Sequence, residues 1–409
     1  MKIGILTYHA ACNNGAFLQL LSTVEYIKSR GFSPVVINWV PNDFEKDYLK
    51  RSSSKVRELY YDLTIKHFSL TRLCRTSKDI AEVIKEQGIK RVIIGSDAVI
   101  QHHTIRERIH FPCRRIVFFQ RMTKDRLFPN AFWGDFNHFL DNPIPIAMIS
   151  GASVDSKYQY ISGITKKKMK KCVNSFRYFS VRDEWSQKMI EYITDGEVKP
   201  DITPDPVFAF NYNALKYIPS KESILNKFKL PDNYILLSFK KVRHTSVDQE
   251  WINDFQDIAN RHNLSCVKLP YPDVETFGNI EISIGECITP LEWYALIKYS
   301  KGYVGNNMHP IVVSLHNSVP FFSFDNYGIK IINGNPTDGE SSKIYQILKI
   351  AGLDYCRFFS ESLLYSVPSP SHVFECLKNF DIEKATLFAN SYYNKYQIMM
   401  NKVFEAIDI

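Results

Sequence analysis

The feature that most constrains this sequence is an alternation that occurs twice. Short runs rich in β-branched and aromatic residues alternate with stretches whose apolar residues recur at helical spacing. Such alternation argues for an α/β chain with parallel sheets. Strands are predicted first at Lys2–Thr7, Pro34–Asn38, Arg91–Gly95, Pro145–Ser150 and Tyr178–Val181. After a polar stretch around Asn211–Asn233 a second series follows: Tyr234–Phe239, Ser265–Leu269, Ile280–Ile284, Gly302–Gly305 and Pro320–Phe324. In the first crossover Phe17, Leu21, Val24 and Ile27 keep helical spacing, Asn13 or Asn14 caps the start, and Gly31 stops it. Helices are also predicted at Gln249–His262 and Pro290–Ser300, and Asp381–Ile409 reads as one long helix with Leu387, Tyr392 or Tyr393, Met399, Val403 and Ile407 inward.

Two successive open α/β units predict two Rossmann-like domains facing across a cleft. The expected division is residues 1–215, residues 216–375, and a helix over 376–409 that packs back on the body. A length of 409 residues suits two to three domains. The 45% apolar and 23% charged content is that of a globular chain. No run approaches the ~18 apolar residues of a membrane span. The opening Met1–Thr7 reads as a strand and not as a signal peptide. A cytoplasmic protein is therefore expected.

The eight cysteines form no CxxC pair and no zinc spacing with histidine, so reduced thiols are expected. The net charge of +8 suits anionic small molecules, an anionic membrane surface or nucleic acid alike. No nucleic-acid-binding signature favours the last. Lys166–Lys171 with Arg177 forms a basic helical stretch that fits either a solvated face or a peripheral contact with anionic lipid. The segment Gln101–Asn142 breaks the alternation. It sets Arg106, Arg108, Arg114, Arg115, Arg121 and Arg126 among Phe118, Phe119, Phe128 and Trp133, and reads as an excursion over the cleft or as a surface insertion.

Ligands of open α/β sheets sit beyond the carboxyl ends of the strands. After the first strand comes Asn13-Asn14-Gly15-Ala16-Phe17, a small-residue turn opening a helix. Its free N–H groups and positive dipole end suit an anion or sugar hydroxyls. With a single glycine and no acid placed for a ribose, it disfavours a nicotinamide site. The plainer reading is an ordinary strand-to-helix turn. Ile93-Ile94-Gly95-Ser96-Asp97 puts Asp97 at the cleft edge, where it serves chemistry or caps the next turn. In Phe179–Glu184, Arg182 leaves a strand end. There it grips a carboxylate or phosphate, or pairs with Asp183, Glu184 or Asp205.

The run Gly305-Asn306-Asn307-Met308-His309-Pro310 sets His309 between a strand end and a helix start. A helix N-terminus lowers the pKa of a nearby imidazolium, which suits proton exchange near neutrality. Proline is comfortable in the first helical turn. Asp325–Lys330 follows the last predicted strand and offers Lys330 either to the same cleft or to solvent.

Taken in order, these segments resemble the polysaccharide pyruvyl transferase family. KIGILTYHAACNNGAFLQLLSTVEYIKSRGF is similar to its first strand, Asn-x-Gly turn and Leu-Gln helix, and VIIGSDAVI to its Gly-Ser-Asp strand end. FSVRDEWS with TPDPVFAF resembles its Ser-Val-Arg segment and following Asp-Pro. TPLEWYALIKYSKGYVGNNMHPIVVSLHNSVPFFSF resembles its C-domain block with strand, histidine and Pro-Phe strand. Two departures stand out. Ala98-Val99-Ile100 replaces the usual Gln-x-Trp and bears on the acceptor, and Pro310 replaces a Gly or Ala and bears on the donor or on the geometry at His309.

The resemblance implies a fold similar to GT-B glycosyltransferases. It implies transfer of the enolpyruvyl unit of phosphoenolpyruvate to sugar hydroxyls, giving a cyclic pyruvate ketal and phosphate. The acceptor would be a surface polysaccharide or its lipid-linked precursor. By the same resemblance Arg182, His309 and Lys330 fall on the donor side, and Asn13, Asn14, Gly15 and Phe17 on the acceptor side; Asn307, beside His309, is a further donor-side candidate. Phosphoenolpyruvate needs at least two fixed cations, which Arg182, Lys330 and Arg243 can supply. His309 is expected to handle one proton transfer and Asp97 the other. No metal or other cofactor is required, and no ligand cluster suggests one. The rival readings are a glycosyltransferase using a nucleotide sugar, with Glu292 as the one candidate for the ribose, and a binding homologue that has lost activity.

Overall fold

The computed structural model describes every residue except 49, 114–115, 154–155, 241–246, 327–328, 333–334, 339–341, 360–365 and 409, and only the backbone at 110–113, 116–117, 329–332 and 335–338. The N-terminal half supplies β1 (Lys2–Leu6), β2 (Ser33–Val36), β3 (Arg91–Asp97), the hairpin β4–β5 (Ile109–Cys113, Ile116–Phe119), β6 (Ile146–Gly151), β7 (Tyr178–Val181) and β8 (Asp201–Ile202). The rest supplies β9 (Tyr234–Lys240), β10 (Ser265–Lys268), β11 (Thr276–Phe277), β12 (Ile282–Ser283), β13 (Gly302–Gly305), β14 (Phe321–Asp325), the pair β15–β16 (Ile329–Ile332, Asn335–Asp338) and β17 (Arg357–Phe359).

Two sheets result. The first is parallel throughout in the order β2-β1-β3-β6-β7-β8. The second has the order β12-β10-β9-β13-β14-β17, also parallel, with β11 antiparallel on β9. Helices cover both faces of such sheets, which is why β6 is buried at every residue and β9 at all but its last. The chain is thus α/β with two Rossmann-like sheets, as the alternation predicted. No helix among the described residues is long and apolar enough to cross a membrane.

The first helix, Asn14–Ser29, starts and stops as expected: Asn13 Oδ1 accepts from the Ala16 N–H at 3.1 Å, and Gly31 lies at φ +82° just beyond the end. It is buried from Asn14 to Ile27, because the second half of the chain closes over it. The terminal helix, Ile382–Ala406, follows the second sheet yet lies on both halves. Phe388 and Tyr392 pack on Phe208, Tyr396 meets Tyr26, and Phe404 meets Tyr26 and Phe32. Its buried stripe runs Ala385, Phe388, Tyr392, Tyr396, Met399, Val403 and, just past its end, Ile407. Leu387 was expected inward but is 63% exposed: it sits one residue off that stripe, a rotation of about 100°.

The excursion Gln101–Asn142 does not simply cover the cleft. Tyr8, just past β1, is bound by Asp125, while Phe132, Trp133 and Phe136 are core residues, and Ile144 leads directly into the start of β6. The segment therefore runs from the carboxyl edge of the first sheet to its amino edge.

Candidate active site between the two sheets

Strand order locates the site. In the first sheet the order reverses between β1 and β3, and in the second between β9 and β13. Loops leaving the carboxyl ends of such a strand pair diverge to opposite faces and leave a crevice. From the first crevice come the Asn13–Gly15 turn and Asp97. From the second come Lys240, at the end of β9, and Asn306, Asn307 and His309, just past β13. The Asn306 Oδ1 accepts from the Lys240 N–H at 3.0 Å and so ties the two strand ends together.

The two crevices meet at one contact. His309 is the second residue of the helix Met308–His316, and its ring lies on Gly15 at the start of the first helix. A Cβ placed on Gly15 would stand 2.2 Å from both Cδ2 and Nε2 of that ring. Only glycine fits there. Two helix N-termini, each a partial positive charge, thus converge on one imidazole. The residue is half-buried, but its Nε2 is buried with no hydrogen-bond partner. Pro310, the third helical residue, occupies a position whose N–H has no helical partner to lose.

Cations surround this ring. Burial first, then the charges of Lys343, Arg182 and Lys240, push the His309 pKa down to about 3. Lys343 begins the helix Lys343–Ala351 and lines a small cavity between the halves with Arg182, Asp205 and Met308. The Arg182 side chain is 7% exposed. Its Nη1 lies 3.4 Å from Oδ2 of Asp205, while its Nε is buried without a partner. Asp205 is itself fixed by Gln19 Nε2 at 2.6 Å and the Val207 N–H at 2.9 Å. Lys240 rests over the Tyr271 ring at 4.8 Å, and burial lowers its pKa. The arrangement is a cationic recess with a neutral imidazole at its centre.

Acidic and phenolic groups stand on the N-terminal side. Asp97 ends β3 at φ +106°, a conformation L-residues rarely hold, and its Oδ1 accepts from the Ala98 N–H at 2.7 Å. Its charge bears on Tyr48 and Asp205. Tyr48 hydrogen-bonds to Arg126, and the Tyr8 hydroxyl donates to Asp125 at 2.8 Å. Asp273, beyond β10, bears on Lys240 and, across the cleft, on Cys12 and Tyr60.

Of the residues singled out in the sequence, His309, Arg182 and Gly15 come together here. Asn13 spends its side chain as a helix cap, and Asn14 Oδ1 accepts from the Tyr60 hydroxyl. Phe17 is only 4% exposed, with its ring on Phe68 and His67, so it supports the turn from beneath and presents no surface to an acceptor. Asn307 hydrogen-bonds to Tyr271. Lys330 lies on β15, with its side chain outside the described residues, as is all of Arg243. Glu292 offers no free carboxylate for a ribose: Oε2 accepts from the Thr289 N–H and Oε1 pairs with Lys227 at 2.5 Å. Sequence reading missed Lys240, Lys343 and Asp273. Lys240 directly follows a predicted strand, which was a usable signal, whereas nothing local marks Lys343.

Two parallel Rossmann-like sheets with a charged recess between their carboxyl edges define a GT-B-type fold. Solved structures agree. The UDP-GlcNAc 2-epimerase of Neisseria meningitidis bound to UDP-GlcNAc matches with a TM-score of 0.55 at 11% identity, over 99% of this chain and 100% of that one. The UDP-GlcNAc 2-epimerase of Methanocaldococcus jannaschii matches with a TM-score of 0.54 at 10% identity, over 99% and 100%. At such identity the likeness is one of fold. No curated protein sequence matches the chain. The family model described as polysaccharide pyruvyl transferase matches residues 13–327, and the chain belongs to that family and is a transferase.

Proposed function

We propose that this transferase moves the enolpyruvyl group of phosphoenolpyruvate onto hydroxyls of a sugar in a surface polysaccharide or its lipid-linked precursor. The products would be a pyruvate ketal and inorganic phosphate. The observation that carries the reading is the convergence of Arg182, Lys240 and Lys343 with two helix N-termini on His309. A phosphate of about −1.5 to −2 together with a carboxylate is the kind of ligand such a recess neutralises.

The overall step forms two C–O bonds at the central carbon of phosphoenolpyruvate and one C–H bond at its methylene. It breaks the C–O bond to phosphate and the π bond of the enol. Of the two hydroxyl protons lost, one is matched by the proton gained at the methylene carbon and the other leaves with phosphate. Among these cations His309 is neutral across the physiological range. A multiply charged anion beside it offsets Lys343, Arg182 and Lys240 and raises its pKa, so donor binding readies the imidazole to hold a proton. Its unpartnered Nε2 is the atom assigned to that transfer. Asp97, and the Tyr48–Arg126 pair near it, are assigned to the acceptor side.

The test is stabilisation of the purified protein by phosphoenolpyruvate beside inorganic phosphate and UDP. A ligand at ~100 times its Kd adds about 2.7 kcal/mol to the native state. A Tm rise with phosphoenolpyruvate above that with phosphate is expected, and its reduction in Arg182→Ala. A rise with UDP alone would overturn the reading in favour of a nucleotide-sugar enzyme.

A further inference from the structure

At the amino edge of the first sheet lies a second concavity, of about 790 Å³, facing away from the catalytic recess. It opens where Pro143–Pro145 enter β6 and Ser175–Arg177 enter β7. The length of β6, roughly 20 Å at ~3.3 Å per residue, separates it from the carboxyl edge. Its size is that of a site for one small ligand.

Its walls are apolar and its rim is basic. Phe128, Trp133, Phe139 and Phe176 line it, and Phe139 is 50% exposed. The rim cations come from the helix Gly163–Ser175 and the residue pair after it. That helix divides its lysines. Lys166 pairs with Asp195 at 2.5 Å, and Lys170 with Asp195 and Glu197 at 3.4 and 2.5 Å. Lys168 and Lys171, with Cys172 and Ser175, recur at the i, i+3, i+4, i+7 spacing of the face that lines the concavity. Neither lysine, nor Arg177 beside them, has an acidic partner among the described residues. The one acid in the lining, Asp135, accepts from Ser77, while its buried Oδ1 has no partner. Of the five lysines in this run, Lys166 and Lys170 are therefore structural, and Lys167, Lys168 and Lys171 have no acidic partner among the described residues.

We propose that this concavity is a second ligand site, which takes a phosphate-headed amphiphile: the apolar chain lies on the aromatic wall and the head meets Lys168, Lys171 and Arg177. Three cations exceed what a single carboxylate needs and match a phosphate monoester of about −1.5 to −2.

Dodecyl phosphate is the probe, with dodecanol and inorganic phosphate as the two halves of its chemistry. Binding to the full chain is read by calorimetry and by the change in tryptophan fluorescence, to which Trp133 in the wall contributes. The expected result is saturable binding of dodecyl phosphate at least about tenfold tighter than either control. Lys168→Glu with Lys171→Glu, both on exposed positions, should weaken it about tenfold and leave the phosphoenolpyruvate Tm shift unchanged. Ser175→Trp should block it by filling the space. Equal binding of dodecanol, or unchanged affinity in the charge-reversed protein, overturns the proposal. Sedimentation with vesicles of phosphatidic acid in phosphatidylcholine, but not of phosphatidylcholine alone, would identify the source as a bilayer lipid. Binding of the free amphiphile without sedimentation would identify a soluble one.

Discussion

Gly15→Ala tests the contact on which the proposed chemistry depends. The new methyl would sit 2.2 Å from Cδ2 and Nε2 of His309. An ordinary contact begins about 1.2 Å further out, so the imidazole must move by about that much. A displacement of ~1 Å at a reacting group costs about 10²-fold in rate, or about 2.7 kcal/mol of barrier. The helix should not suffer. Gly15 has no positive φ, and alanine is favoured over glycine in helices by about 0.5–1 kcal/mol. The overpacking costs about 1–3 kcal/mol, offset in part by that preference, so the expected variant is folded, at most about 2 kcal/mol less stable and about a hundredfold slower. Turnover is read as phosphate released from phosphoenolpyruvate with a glycan acceptor, and stability by urea unfolding. In a His309→Ala background the same substitution should cost nothing further, because the clash partner is gone. Gly15→Ala within threefold of parental kcat/KM, or a full hundredfold loss in the His309→Ala background, would refute the assignment.

Other outcomes follow from the same geometry. Arg182→Met strands the buried Asp205 carboxylate and should cost about 3 kcal/mol in urea unfolding; a loss under 1 kcal/mol would show that the pair is not coupled. Lys343→Met removes a charge that lowers the His309 pKa, so the imidazole titration followed by NMR should move upward from about 3, and an unmoved midpoint would place Lys343 elsewhere. His309 and His316 are both held neutral, with folded pKa values of about 3 against 6.5 unfolded. Below pH 6.5 the unfolded chain therefore takes up protons that the folded one refuses. Stability is full above that value and falls between pH 6.5 and 3, by about 2 kcal/mol per histidine at pH 5. His316→Gln should remove one share of the difference between urea midpoints at pH 7 and pH 5, and an unchanged difference would count against it.

Much of the fold was legible because the buried strands are near-continuous apolar runs. The ten predicted strands lie within a residue or two of observed ones. What escaped notice was short or weakly patterned. β8 and β17 are two and three residues long, and the helix Ser54–His67 buries only four residues along its length. The terminal helix and most of its stripe were seen: Tyr392, Met399, Val403 and Ile407 are buried as expected, and Leu387 alone of those named is not. The site divides in the same way. His309 and Arg182 follow strand ends and were visible. Lys343 reaches the recess from a helix start that only the packing of the two halves brings there, and Phe17 shares the turn's sequence but not its exposure.

The terminal helix has a consequence for how this chain is made. Tyr26, Phe32 and Phe208 belong to the half synthesised first, yet their ring partners are Tyr396, Phe404, Phe388 and Tyr392. At ~5–20 residues per second, those partners leave the ribosome roughly 10–40 s after the N-terminal sheet is complete. During that interval the early half carries an uncovered aromatic surface. A nascent chain that stops before residue 388 keeps that surface exposed, and the half made first is then no self-sufficient domain.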